Sequence, residues 1–281
     1  MCAFIFLYLL LPNDKTFANN LKDVLLNLTK INQNTINFYY YFSHSLIIIA
    51  SSLLISLILG IPIGSLIALK SNRSFSILFS LILYLIIAFP IFILAPLLIK
   101  IAEINDIPVL FLNWNQFDIQ YVIYSLFLPI VLLILPLFVF ITIISKNTII
   151  KFQKQPFVLQ MYALGMNDIQ VYFKVFFKRI CAQIFLQFNN ILLFVITLSI
   201  IIERIFLIPG QSIFLIFAFD NKNISLIMQF IIINLLLMQF NYLITNFLHQ
   251  YLNNNLIINK HSNFLKQQII NKWFLRRNIE K

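Results

Sequence analysis

Glycine is almost missing from this chain: there are four in 281 residues, at Gly60, Gly64, Gly165 and Gly210. Membrane proteins ordinarily use small residues freely, because these let helices approach closely. A chain so poor in glycine is expected to keep it where the backbone tolerates nothing else. That expectation singles out three short stretches, GIPIG (60–64), ALGMND (163–168) and IPGQ (208–211). Charge is scarce as well, at 10% of residues against 61% hydrophobic, with a mean hydropathy of +0.92. That balance excludes a soluble domain of this length. The two cysteines, Cys2 and Cys181, form no CxxC or Cys/His cluster and read as small buried hydrophobes. The histidines have no partner at ligand spacing, so no metal site is expected. There is no GxxxxGK[ST], no Ser/His/Asp set and no paired-carboxylate motif, so neither a catalytic residue nor a cofactor is expected. The start, MCAFIFLYLLLPND, lacks a basic n-region and a small-x-small site, so no cleavable signal peptide is expected.

What the chain does contain is long apolar runs. A bilayer core takes about 20 apolar residues as helix, and five segments reach that length: 44–69, 75–99, 119–145, 181–202 and 224–248. The apolar stretch 2–12 is half a span and is read as a shortened first span, with an interfacial segment as the alternative. The expected fold is therefore an all-α polytopic membrane protein, with five full transmembrane helices plus a short N-terminal hydrophobic segment. Its parts are 1–43, the transmembrane domain 44–250 with a loop at 147–180, and a basic tail at 251–281. The net charge of +11 raises nucleic acid as a partner, but its distribution decides for the membrane. Fourteen basic residues fall in the loop after the first full span, the 146–180 loop and the tail, against Asp168 and Glu280. Six basic residues fall on the other side, against seven acidic ones. The positive-inside rule then puts the 146–180 loop and the C-terminus in the cytoplasm, and 13–43, 100–118 and 203–223 outside.

The loop has a local logic. FVLQMYAL (157–164) is helix-compatible and follows Pro156, which suits a first turn. Gly165 stands where a helix ends in a left-handed residue. Asn167 suits an N-cap, and Asp168 suits the positive end of the next helix dipole. Lys174, Lys178 and Arg179 then lie in the later part of that second helix. Two helices meeting at a glycine, with Met161, Tyr162, Leu164 and Met166 at an exposed bend, read as a docking knob for a soluble partner.

The segment FVLQMYALGMNDIQVYFKVFFKRI resembles the cytoplasmic EAA loop of ABC transporter permeases, and within them the B-type subunit of the dipeptide, oligopeptide and nickel family. Gly165 matches the family glycine and Ala163 the alanine before it, while Asn167 stands where a capping serine is common. Leu159, Tyr162 and Leu164 depart from positions that are usually basic, and Met161 from a small alanine. HSLIIIASSLLISLILGIPIGSLIALKSNR resembles the family's second span, with Pro62 between two glycines that also have a plain helix-packing explanation. IIERIFLIPGQSIFLIFAFDNKN resembles its external segment, where Glu203, Phe206, Pro209 and Gly210 match and Asp220 matches an acidic turn residue. The resemblance covers roughly 40–253; the tail beyond reads as a basic segment at anionic headgroups or as a disordered extension.

The resemblance implies a permease of the bacterial inner membrane that hydrolyses no ATP itself. It implies docking of two ATP-binding cassette subunits on 157–175, through Met161, Tyr162, Ala163, Leu164, Gly165, Asn167 and Asp168. It further implies an external gate or turn at Glu203, Pro209, Gly210 and Asp220, a second homologous permease, a periplasmic or lipid-anchored solute-binding protein, and membrane lipid as surroundings. Peptides are the expected cargo, with nickel, microcin or polyamine-related (Sap-type) systems as alternatives. A membrane assembly protein that transports nothing is the competing class. Polar span residues such as Ser51, Ser52, Ser56, Asn189, Asn190, Thr197, Asn234 and Asn241 would line a pathway or bond between helices.

Overall fold

Apolar runs of this length have one way to satisfy their backbone in lipid, which is to bond it internally as helix. The computed structural model describes residues 38–70, 73–105, 108–112, 118–222 and 226–252. The expected N-terminal segment 2–12 and the tail from 253 lie outside the described residues. Helix α1 runs Phe38–Lys70, α2 Arg73–Ala88, α3 Ile91–Ile104, α4 Ile119–Gln153 and α5 Pro156–Ala163. Then come α6 (Asp168–Val171), a π-helical turn (Tyr172–Phe176) and α7 (Phe177–Ile205), which form one rod of 38 residues, followed by α8 (Gln211–Asp220) and α9 (Leu226–Leu252). Four of these helices are long and apolar enough to cross a membrane: α1, α4, the Asp168–Ile205 rod and α9. The chain is an all-α polytopic membrane protein.

The fifth expected span, 75–99, is present as a bent pair: Ser76–Ala88 and Ile91–Ile104 are together long and apolar enough to cross, but not straight, with a bend of 85° between them. The helix stops at Ala88, and the break falls on Phe89 and Pro90. Pro90 is itself extended, with ψ 133°, and its carbonyl starts α3 by accepting from Ile93 and Leu94 N. Pro62, Pro96, Pro129 and Pro136 stay inside helices, where each removes one backbone bond without breaking the rod.

Helix α1 packs more extensively on α4 than on any other described helix, and two glycines allow the approach. A Cβ on Gly60 would come within 2.8 Å of Ile141 Cγ2, and one on Gly64 within 2.6 Å of the Thr142 carbonyl. Both glycines are therefore there for backbone approach, as the packing explanation holds. One helical turn along α4, Lys146 is buried, and its ammonium donates to the Ser76 carbonyl at 2.8 Å and to the Ser80 hydroxyl. The sequence placed Lys146 in a solvated loop; α4 runs two turns past it, and the cation pins α2 to α4 instead.

Two apolar cores result, one at each end of the bundle. Ile141, Ile144, Ile149, Val158, Val171, Phe176 and Ile180 build the one beside α5 and α6. Val122, Leu126, Leu133, Ile202, Phe206 and Ile208 build the other, where α7 ends. A helix rises about 1.5 Å per residue, so the Asp168–Ile205 rod spans roughly 57 Å and joins the two.

Candidate functional site

Most of the interval 147–180 is helix: α4 continues to Gln153 and the next rod begins at Asp168, which leaves Lys154–Asn167 as the true connection. Pro156 opens α5 at its first turn, and Gln155 O accepts from Val158 N and Leu159 N at 3.0 and 3.2 Å. Eight residues are too few for a stable helix alone. Packing holds it instead, through fully buried Val158 and half-buried Phe157 and Met161 on the core beneath. Burying a Val side chain contributes about 1.5–3 kcal/mol.

The α5 terminus is a Schellman motif. Gly165 N donates to Tyr162 O at 2.9 Å and Met166 N to Met161 O at 3.2 Å, with Gly165 at φ +79°. Asn167 then caps α6, with Gln170 Oε1 accepting from its N–H at 3.4 Å. Helix, left-handed glycine, cap and helix therefore stand in the order expected. The Asp168 carboxylate also stands near the Tyr162 hydroxyl, so the two helices approach each other at this bend. Burial first, and then this carboxylate, push the Tyr162 hydroxyl above the usual phenol range.

The exposed face differs from the one expected. Met161, Tyr162 and Met166 are half-buried and pack inward on the core. Ala163, Leu164, Gly165, Asn167 and Asp168 are exposed, and the outward apolar groups are Leu159, Leu164 and Ile169, the last two each 71% exposed. Ile169 escaped the sequence reading because a single isoleucine beside a cap carries no periodic signal. Beyond it, the Tyr172 hydroxyl accepts from Ser65 Oγ at 3.2 Å, linking the π turn to the Pro62 region of α1. Such turns recur at functional positions of helices.

At the opposite end of the rod, Glu203 occupies the last turn of α7 and is fully buried. The chain then turns tightly. Ile208 N donates to Glu203 O at 2.9 Å, Leu207 is left-handed at φ 52°, and Gly210 N reaches Ile208 O at 2.7 Å around Pro209. Gly210 has no unusual φ; it is needed for space, since a Cβ there would land on the Glu203 carboxylate and 2.7 Å from Ser45 Oγ. The first N–H groups of α8 point at this cluster: Ser212 N donates to Glu203 Oε2 at 3.0 Å, and Gln211 N to Ser45 Oγ at 2.8 Å. A carboxyl oxygen at a helix N-terminus accepts from N–H groups that have no partner within the helix. Asn234 of α9 adds Nδ2 to Gln211 Oε1 at 3.3 Å, so α1, α7, α8 and α9 meet in one polar cluster.

The four residues expected to act together here do not all meet. Glu203, Pro209 and Gly210 are joined, while Asp220 is exposed at the far end of α8. Ser45, Gln211 and Asn234 complete the cluster, and two of them come from helices distant in sequence, so no local pattern announced them. Of the polar span residues, Ser51, Ser52, Thr197 and Asn241 bond back to their own helix, and Asn234 reaches another. Among the described residues no group of three His, Cys, Asp or Glu is placed to hold a metal.

A family model described as "Binding-protein-dependent transport system inner membrane component" matches residues 60–258. The matched stretch takes in the Gly60–Gly64 crossing, the bent pair, the Gly165 turn and the Glu203 cluster. No curated protein matches the chain.

Proposed function

From the premise that the chain belongs to the binding-protein-dependent transport system inner membrane components, the membrane permeases of ABC transporters, we propose that its 157–175 segment is the surface on which separate ATPase subunits dock. The carrying observation is the pairing of two faces on one small element. Val158, Met161, Tyr162 and Met166 fasten it to the bundle core, while Leu159, Leu164 and Ile169 stand outward and exposed. An apolar group presented on a stiff, capped bend is a contact surface for another protein.

The mechanism follows from the connections. The basic bias of the loop supports a cytoplasmic position, the side where ATP is. Closure of an ATPase pair pushes on Leu164 and Ile169; the Gly165 turn and the Asn167 cap keep α5 and α6 moving together. The motion passes into the Asp168–Ile205 rod and, through Tyr172 and Ser65, into α1 beside its proline. At the far end the same two helices meet α8 at Glu203 and Ser45. Tilting them relative to each other opens or closes the α8 segment over a pathway, a rigid-body switch of the hinge or shear kind. Gly165, Asn167 and Asp168 act as stiffening elements; Glu203, Pro209 and Gly210 act as the hinge of the outer segment, and Asp220 lies on the face open to a solute-binding protein. A second permease of the same family completes the pathway. Peptides as cargo rest on the resemblance of the three glycine-bearing segments; the outer turn and the loop carry no cargo chemistry of their own.

The test is co-purification. A tagged chain expressed with the ATPases of its own cell retains them, and Leu164→Asp combined with Ile169→Asp releases them while the chain stays folded. Retention of the ATPases by that double variant would sink the assignment. Both sites are exposed, so the expected effect on stability is under about 0.5 kcal/mol.

A further inference from the structure

We propose that the stretch Phe173–Lys178 is a docking surface for anionic phospholipid headgroups. Phe173 and Phe177 are exposed and their rings lie 6.4 Å apart; Lys174 and Lys178 are exposed beside them. In a regular α-helix, residues four apart drift around the axis with every step. The π turn at Tyr172–Phe176 is wider, with bonds from residue i to i+5, and takes up that drift. Phe173 and Phe177 therefore stay side by side, with Lys174 and Lys178 each next to one of them in the chain.

The depth of these residues fits a headgroup layer. If the apolar run 181–202 fills the hydrocarbon core, Phe177 stands about 6 Å beyond its edge along the rod, and Lys174 about 10 Å. The headgroup region extends roughly 5–8 Å past the core on each side. Phe177 and Lys178 thus lie inside that layer, and a lysine at 174 reaches back to it with its flexible stem. Aromatic rings at this level are interfacial anchors, and juxtamembrane lysines attract anionic lipid. Charge complementarity selects this occupant: Lys174 and Lys178 stand exposed together, and the described acidic side chain on this end of the rod, Asp168, lies about 9 Å further along it. The surface shares residues 173–175 with the end of the 157–175 segment, but its aromatic and basic side chains lie nearer the membrane than Leu159, Leu164 and Ile169, which stand beyond the headgroups. It rests on the membrane-spanning character of the rod and not on the ATPase reading.

The experiment uses the full chain with Phe177→Trp, and Trp114 and Trp273 replaced by Phe so that one indole reports. It is placed in phosphatidylcholine vesicles in which a minor fraction is brominated, either as phosphatidylglycerol or as phosphatidylcholine. Brominated phosphatidylglycerol is expected to quench the introduced indole in clear preference, and Lys174→Gln with Lys178→Gln to reduce that preference by roughly five-fold per lysine. Equal quenching by the two lipids, a preference unchanged in the double lysine variant, or no quenching by either because protein covers the position would each overturn the proposal. A second reading needs no tryptophan: after extraction from mixed vesicles, the parent chain retains phosphatidylglycerol over phosphatidylcholine and the double lysine variant does not. Equal retention by the two chains counts against it.

Discussion

At Gly165 nothing stands within 4 Å of where a Cβ would point, whereas at Gly210 a Cβ would fall on the Glu203 carboxylate. The same residue type is thus retained at the two ends of one helical rod for opposite reasons. The loop end is a local device: three backbone hydrogen bonds, a left-handed residue and a cap set its shape within a dozen residues. The Glu203 end is a long-range one, in which α1, α7, α8 and α9 each supply a polar group to a buried cluster. A surface built locally can present side chains to a partner without endangering the bundle. A cluster built from four helices holds the bundle together and changes only when the helices move.

The largest effect should come from filling the crowded glycine. Gly210→Val is expected to destabilise the chain by about 3 kcal/mol or more, since overpacking adds to the displacement of a buried carboxylate from its N–H donors. Chemical unfolding of the detergent-solubilised chain measures it; a loss below about 1 kcal/mol would remove the contrast between the two ends. Glu203→Ala should follow at about 2–3 kcal/mol, by leaving Ser212 N buried without an acceptor. Glu203→Gln keeps an acceptor of the same shape and should recover most of that loss, which separates the hydrogen bonds from the packing. At the loop, Gly165→Val meets no clash and carries only the left-handed strain, about 1–2 kcal/mol. Its main consequence is functional: ATPase docking or coupling weakens while the fold persists, and normal coupled ATPase activity in that variant would contradict the docking role. The smallest effect runs the other way. Leu207 is left-handed and exposed in the turn after Glu203, and Leu207→Gly should stabilise by about 0.5–1 kcal/mol. No gain there would mean that the turn is held by more than its backbone.

Legibility followed range. The Pro156 start, the Gly165 stop and the Asn167 cap obey rules that reach four or five residues, and each stood where those rules put it. The four long spans were likewise plain, because a bilayer demands a minimum apolar length. The 75–99 run failed as one straight span because hydropathy carries no direction: a proline tolerated at 62, 96, 129 and 136 breaks the rod at 90, where Pro90 is itself extended. Which side of the loop faces out also escaped, since Met161 and Tyr162 look no different in sequence from Leu159 and Leu164 until a core is placed beneath them.

Composition and spacing were thus enough for the class of protein, the membrane-crossing helices and the shape of the Gly165 bend, because hydrophobic length and backbone hydrogen bonding are properties of short stretches. The pairing of Gly60 and Gly64 with α4, the burial of Lys146 against α2 and the union of Glu203 with Ser45, Gln211 and Asn234 came from packing. They depend on which helices become neighbours, and a buried polar group acquires its meaning only from the partners that the fold brings within reach.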